Sequence, residues 1–341
     1  MSAKPASAAL PATSAANGPL DAFAVLWMVG LTFLWGANAL SIKVVTLGMA
    51  PLMATALRGA IALPLLTAYG RWRREGLSFS GAELVHGVVN GVIFAVEFGL
   101  FYSGARLTSA GHIAIFINTA PFFVAVGAHY LLTGDRMHTA KGLGLILALA
   151  GIAVMFSNDV LIQHSTQWRG DVLILGAASL WGLSTLYAKR YMASRMSAFR
   201  MLYSQVLVST PLLLLASLAL EPHPFFAVTG VTWSMLLFQA VATVSFSYMV
   251  WMMLVQRYSA SAMQSFTFLS PIWGVLLGIV VLGEELQAPL VAGIALVGIG
   301  IYLVNRPPRR TVLGSAQQPV QRPGRPARTR SLGAPRSPGA P

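Results

Sequence analysis

Ten apolar stretches follow one another along this chain, each close to the length a helix needs to cross a bilayer. About 20 mostly apolar residues span the hydrocarbon layer. Such runs occur at 22–43, 51–70, 82–103, 109–132, 140–157, 170–188, 199–219, 233–255, 258–282 and 287–304. The connections are short, so successive helices are antiparallel neighbours and no soluble domain fits between them. Only 10% of the 341 residues are charged, against about 25% in a soluble domain, which excludes a soluble enzyme and a disordered chain. The absence of cysteine excludes a disulfide scaffold, thiolate metal sites and cysteine catalysis. The expected fold class is all-α integral membrane, with ten transmembrane helices.

Charge placement orients the bundle. With the N-terminus inside, Lys4, Arg71, Arg73, Arg74, Arg136, Lys141, Lys189, Arg190, Arg195, Arg200 and Arg257 fall on the inner side, while the outer ends carry only Lys43, Arg106 and Arg169. Asp159, Glu221, Glu284 and Glu285 fall in outer loops. This is the bias that sets topology in membranes, and it places both termini in the cytoplasm, most simply of a bacterial inner membrane. The segment 306–341 holds eight of the 23 cations and no acid. Its Pro/Gly/Arg composition reads as a disordered cytoplasmic tail beside anionic lipid, without the interleaved aromatics of a nucleic-acid binder, so no nucleic-acid partner is expected. Residues 1–21 read as a disordered N-terminus, and the first apolar run as an uncleaved span.

The chain repeats itself. Leu34-Trp35-Gly36 returns as Leu180-Trp181-Gly182, and in each copy a lysine follows eight residues after the tryptophan, Lys43 and Lys189. Asn118-Thr119-Ala120-Pro121 in span 4 answers Phe268-Leu269-Ser270-Pro271 in span 9, and Gly134-Asp135 answers Gly283-Glu284. The repeats are therefore set at 22–157 and 170–305, joined by a linker at 158–169. Each holds five spans. An odd number forces the second copy upside down relative to the first. Inverted repeats are the sequence mark of alternating-access carriers, which bind between the copies near mid-membrane.

Together the Trp-Gly pair, the span-4 and span-9 prolines with Gly-Asp/Glu after them, and the glycine-rich fifth and tenth spans resemble the drug/metabolite transporter superfamily, EamA type. The resemblance covers about 22–305. It implies two inverted five-helix repeats, no cofactor, no enzymatic activity, and a small-molecule substrate. It also implies an exporter of amino acids or similar metabolites, often proton-linked. Asp135-Arg136 stands where the family more often has Glu-Arg, a change of little expected consequence at a helix end. An importer or sugar-type permease of the same fold, or an intramembrane enzyme, remain the alternatives.

Candidate site residues follow from polarity inside apolar spans. Glu83, His86, Asn90 and Glu97 fall on one stripe of span 3, within roughly 60° at 100° per residue, and ionisable groups there face a cavity or other helices rather than lipid. Glu97 is the deepest carboxylate. With Arg58, which could neutralise it, bind a substrate carboxylate or snorkel outward, and with His112, it forms the set of proton-coupling candidates. Trp35 and Asn38 of span 1 pair by repeat with Trp181 and Ser184 of span 6 as cavity walls. Asn118, Thr119 and Pro121 of span 4 and Ser261, Gln264, Ser265, Ser270 and Pro271 of span 9 are expected at the substrate, because a proline break frees backbone carbonyls. Tyr102, Tyr248 and Trp251 are expected as gate or wall residues. Lys43 and Lys189, at span ends, are expected to snorkel. Gly142, Gly144, Gly151, Gly293, Gly298 and Gly300 mark spans 5 and 10 as packing helices, with a homodimer interface as one use open to them. No metal site is expected, and HExxH, P-loop and GxGxxG motifs are absent from the sequence.

Overall fold

The computed structural model describes residues 20–157, 167–282 and 288–306. The two termini, most of the 158–169 linker, and Asp159, Gly283, Glu284 and Glu285 lie outside them. Span 1 is Ala22–Thr46, span 2 Pro51–Trp72, span 3 Gly81–Ala105, span 5 Thr139–Met155, span 7 Ala198–Leu220 and span 10 Ala288–Asn305. Span 4 is broken into Ala110–Ile117 and Ala120–Leu131. Span 6 begins at Gln167, inside the segment expected as linker, and ends in a π-helical turn, Ala188–Met192. Span 8 contains a longer π-helical stretch, Gln239–Ser247, between Gly230–Phe238 and Tyr248–Arg257. Span 9 runs Ala260–Ser265, a 3₁₀ turn at Phe266–Phe268, then Leu269–Leu282. Among the described residues nine helices are long and apolar enough to cross a membrane, and Thr139–Met155 is a shorter apolar helix. This is an all-α, ten-helix membrane protein.

Local chemistry sets the helix starts. Asp21, Ser109, Ser197, Thr229 and Ser259 each accept a backbone N–H at the head of spans 1, 4, 7, 8 and 9, satisfying donors that the helix itself leaves open. Pro51 opens span 2, where its missing N–H costs nothing. The Glu221 carboxylate reaches across to accept from the N–H groups of Leu52 and Met53 at 2.9 and 3.0 Å. The turn between spans 4 and 5 passes through Gly134 at φ 85°, a conformation that a side chain would oppose.

Packing follows the repeat. Span 5 lies along span 10, span 1 against span 9 and its counterpart span 6 against span 4, and span 2 against span 7. The repeated Trp-Gly pair has a common explanation. A Cβ on Gly36 would sit 2.7 Å from the Ser270 carbonyl oxygen, and one on Gly182 would sit 2.9 Å from Phe123 Cβ. Each glycine lets its helix close on the broken helix of the other repeat, and the tryptophan beside it is thereby turned to the centre.

Four of the six glycines in spans 5 and 10 form one seam. A Cβ on Gly144 would meet the Gly300 carbonyl oxygen at 2.6 Å, a Cβ on Gly300 would meet that of Gly144 at 2.6 Å, and Gly151 faces Gly293 in the same way. Gly142 and Gly298 face open space. Gly300→Ala is therefore expected to destabilise by about 1–3 kcal/mol, because backbone cannot yield to the new methyl. Gly298→Ala is expected to be neutral or to stabilise by up to about 1 kcal/mol. Thermal unfolding of the two variants in detergent checks the contrast.

Candidate functional site

The two repeats enclose a cavity of about 1390 Å³. At one end its lining reaches Lys43, Arg106, Leu107 and Ala110, all exposed. At the other it stops at Ala188 and Gln205, both buried. Among the described residues it is open at the Lys43 end and closed at the end that holds Lys189 and Asp135.

Aromatic side chains form one wall. Trp35 meets Trp181 edge to face at 5.7 Å and Trp251 at 5.4 Å, and its Nε1 donates to Ser247 Oγ at 3.0 Å. Ser247 ends the π-helical stretch of span 8, so the π turn helps fix the Trp35 ring. Tyr248 joins this wall and contacts Phe94 at 5.9 Å and Phe98 at 6.1 Å. Asn38 accepts from Thr243 Oγ1 at 3.2 Å.

The polar side of the cavity is rich in oxygen without protein partners. Glu97 lines it at 6% exposure, with Oε2 buried and making no hydrogen bond. Asn118 spends its amide on the Ala114 carbonyl at 2.7 Å, leaving Oδ1 open. Thr185 Oγ1 and Gln205 Oε1 are likewise buried and unpartnered. Ser184 donates to Asn90 Oδ1 at 3.0 Å.

Trp35, Asn38, Glu97, Asn118, Trp181, Tyr248, Trp251 and Pro271 thus share one cavity. Other expected residues sit elsewhere. Tyr102 is fully buried away from it, donating to Gln239 Oε1 at 2.7 Å and accepting from Arg58 Nη1 at 3.2 Å. Arg58 neither snorkels nor ion-pairs with Glu97. It is 1% exposed and lies 4.0 Å above the Phe98 ring, a cation–π contact. Pro121 and Gln264 are buried outside the lining, and Ser265 accepts from Asn305 Nδ2 at 3.0 Å. The 3₁₀ turn after Ser265 advances each residue by 120° rather than 100°, and this rotation brings Thr267 to the cavity beside Ser270 and Pro271, the two expected there. His112 binds Asp171 through Nδ1 at 2.9 Å, beside Thr108, whose Oγ1 donates to the same carboxylate at 2.6 Å. Lys189 does not snorkel; it is buried. The span-3 stripe faces spans 6 and 7, as expected for polar groups kept from lipid: His86 meets Tyr187 at 2.7 Å, and Glu83 pairs with Arg200. Gln205 and Thr267 were not anticipated; Gln205, a lone amide within apolar span 7, was the visible signal.

A helical membrane protein built as two copies around a central cavity open at one end has the form of a carrier. The chain belongs to the EamA-like transporter family, whose model matches residues 22–157 and again 168–306. It is 24% identical to the uncharacterized transporter YoaV of Bacillus subtilis, over 82% of this chain and 95% of that one. It is 25% identical to a probable amino-acid metabolite efflux pump of Escherichia coli, over 79% and 90% of the two chains. A solved crystal structure, 21% identical, shares the fold at a TM-score of 0.70 over 83% of this chain and 97% of that one.

Proposed function

We propose that this transporter exports small ammonium-bearing metabolites, amino acids among them, by alternating access, with protons as the counter-ion at Glu97. One observation carries the reading: the oxygens left open in the cavity are a carboxylate, two amide carbonyls and one hydroxyl, all able to accept, beside an aromatic wall. An N–H-rich cation satisfies such acceptors, and its charge is favoured over the aromatic faces. Among the described residues no basic side chain lines the depth of the cavity; Lys43 and Arg106 stand at its mouth. The efflux-pump relatives support the amino-acid class and the outward direction. The lysine and arginine bias supports an inner cell membrane with both termini cytoplasmic, so reporters fused at residues 75 and 165 are expected in opposite compartments.

Purified protein in liposomes tests the substrate with three probes of one shape: phenylalanine, phenethylamine and 3-phenylpropionate. Phenylalanine and phenethylamine are expected to exchange across the membrane and to compete with each other, and phenylpropionate to do neither. Exchange of phenylpropionate without the amine would overturn the reading.

A further inference from the structure

The two ends of the cavity share part of one plan, and the paired lysines differ between them. Asp21 and Asp171, Thr108 and Tyr258, and Ser109 and Ser259 lie 150 residues apart, whereas Trp35 and Trp181, like Lys43 and Lys189, lie 146 apart, so the aspartates stand about one helical turn out of step with the tryptophans and lysines. Asp171 accepts from Thr108 Oγ1 at 2.6 Å, and Asp21 accepts from Tyr258 Oη at 2.8 Å. Ser109 caps span 4 by accepting the His112 N–H, and Ser259 caps span 9 by accepting that of Ala262. These ties are made at both ends.

The lysines break the symmetry. Lys189 Nζ donates to the carbonyl oxygens of Val255 at 2.8 Å and Tyr258 at 2.6 Å, with the side chain 8% exposed. These carbonyls lie at the end of span 8, where a helix has acceptors to spare and where its dipole favours a cation. The contact pins the end of span 6 to the end of span 8 across the closed end. Lys43 is the matching lysine of the first repeat. It is exposed at the open mouth, which Ala105 and Thr108, the counterparts of Val255 and Tyr258, also line.

The geometry points to Lys43 and Lys189 as alternating latches. Lys189 holds the molecule shut at its own end while the cavity opens at the other, and Lys43 closes onto the carbonyls of Ala105 and Thr108 when the opening reverses. Each latch includes charge-assisted hydrogen bonds to main-chain oxygen. The inference rests on the two-ended motion proposed above.

The chain has no cysteine, so single cysteines can report on each end. Ile113 lines the cavity, and its counterpart Met263 is fully buried. Ile113→Cys and Met263→Cys are each combined with Lys43→Met or Lys189→Met, and labelling by a membrane-impermeant maleimide is measured from both sides of vesicles. Lys189→Met is expected to raise labelling at position 263 about tenfold and to lower it at 113, as the loss of two charge-assisted hydrogen bonds shifts the balance of states. Lys43→Met is expected to shift both the opposite way. Lys189→Arg, which keeps a cationic donor, is expected to retain the parent pattern. No change overturns the proposal, and so does a rise at both positions, the signature of a loosened fold. Intact transport with unresponsive labelling would remove the latches and leave the carrier reading standing.

Discussion

Glu97→Gln is expected to cut transport at least tenfold without loss of stability, and to flatten its dependence on pH. A side chain that serves packing does not behave this way. Glu97 is buried with Oε2 unpartnered, and the cation on the neighbouring helix, Arg58, is committed to the Phe98 ring and the Tyr102 hydroxyl. No ion pair to Glu97 forms among the described residues. An isolated carboxyl group in such a place costs folding free energy, so replacing it with an amide of the same shape is not expected to lower stability. The same change takes away the one carboxylate among the described lining residues that an ammonium group or a proton could compete for. Exchange of phenylalanine in liposomes across a pH series gives the functional half, and melting in detergent gives the other. Wild-type, pH-dependent exchange by the variant would dismiss Glu97 from the coupling role. A large fall in melting temperature would mark it as a structural group instead.

The spans and the repeat were legible because each rests on a local property. Twenty apolar residues in a row have one fate in a bilayer, and Trp35-Gly36 and Trp181-Gly182 recur because the same close approach is made twice. The site was legible only where the helix was regular. Glu97, Asn38 and Trp181 project as a 100° period places them. Gln264 and Ser265 do not share the cavity, and a 3₁₀ turn that no residue type announces, Phe266–Phe268, carries Thr267 there instead. Partners across helices were harder still. Nothing at Asp171 proclaims His112, fifty-nine residues away, because the rotation of two helices about their axes decides that meeting. The burial of Asp135 was not legible for a related reason. It stands at the end of an apolar run, and only the return of span 5 and the head of span 9 bury it to 2% exposure.

That burial makes Asp135 the residue whose loss should harm the fold most. Its Oδ1 receives the Lys141 ammonium at 2.8 Å, and Oδ2 receives the Ser261 N–H at 3.0 Å and the Ser259 hydroxyl at 2.8 Å; the Ser261 hydroxyl also donates to it. Four donors from spans 5 and 9 thus converge on one carboxylate at the closed end of the cavity. Asp135→Ala leaves Lys141, 6% exposed, with only Ser261 Oγ beside its charge. Uncompensated buried charges of this kind cost about 3–5 kcal/mol. If the cost lies in the stranded cation rather than in lost packing, Asp135→Ala with Lys141→Met should recover most of it, and this non-additivity is the diagnostic. The pH dependence follows from the same contacts. Burial pushes the Asp135 carboxyl upward, but the Lys141 charge and the hydrogen bonds from Lys141 and Ser261 outweigh it and hold the pKa below the usual aspartate value of 3.8. The contribution of Asp135 to stability is therefore whole at neutral pH. It is lost as the pH falls from the ordinary aspartate value through the lower folded one. Unfolding measured in detergent from neutral to acid pH should show the wild type losing its advantage over Asp135→Ala only at the acid end. An advantage that vanished above pH 5 would mean that the carboxylate is not held by these donors, and an additive double variant would mean that Lys141 is not what it restrains.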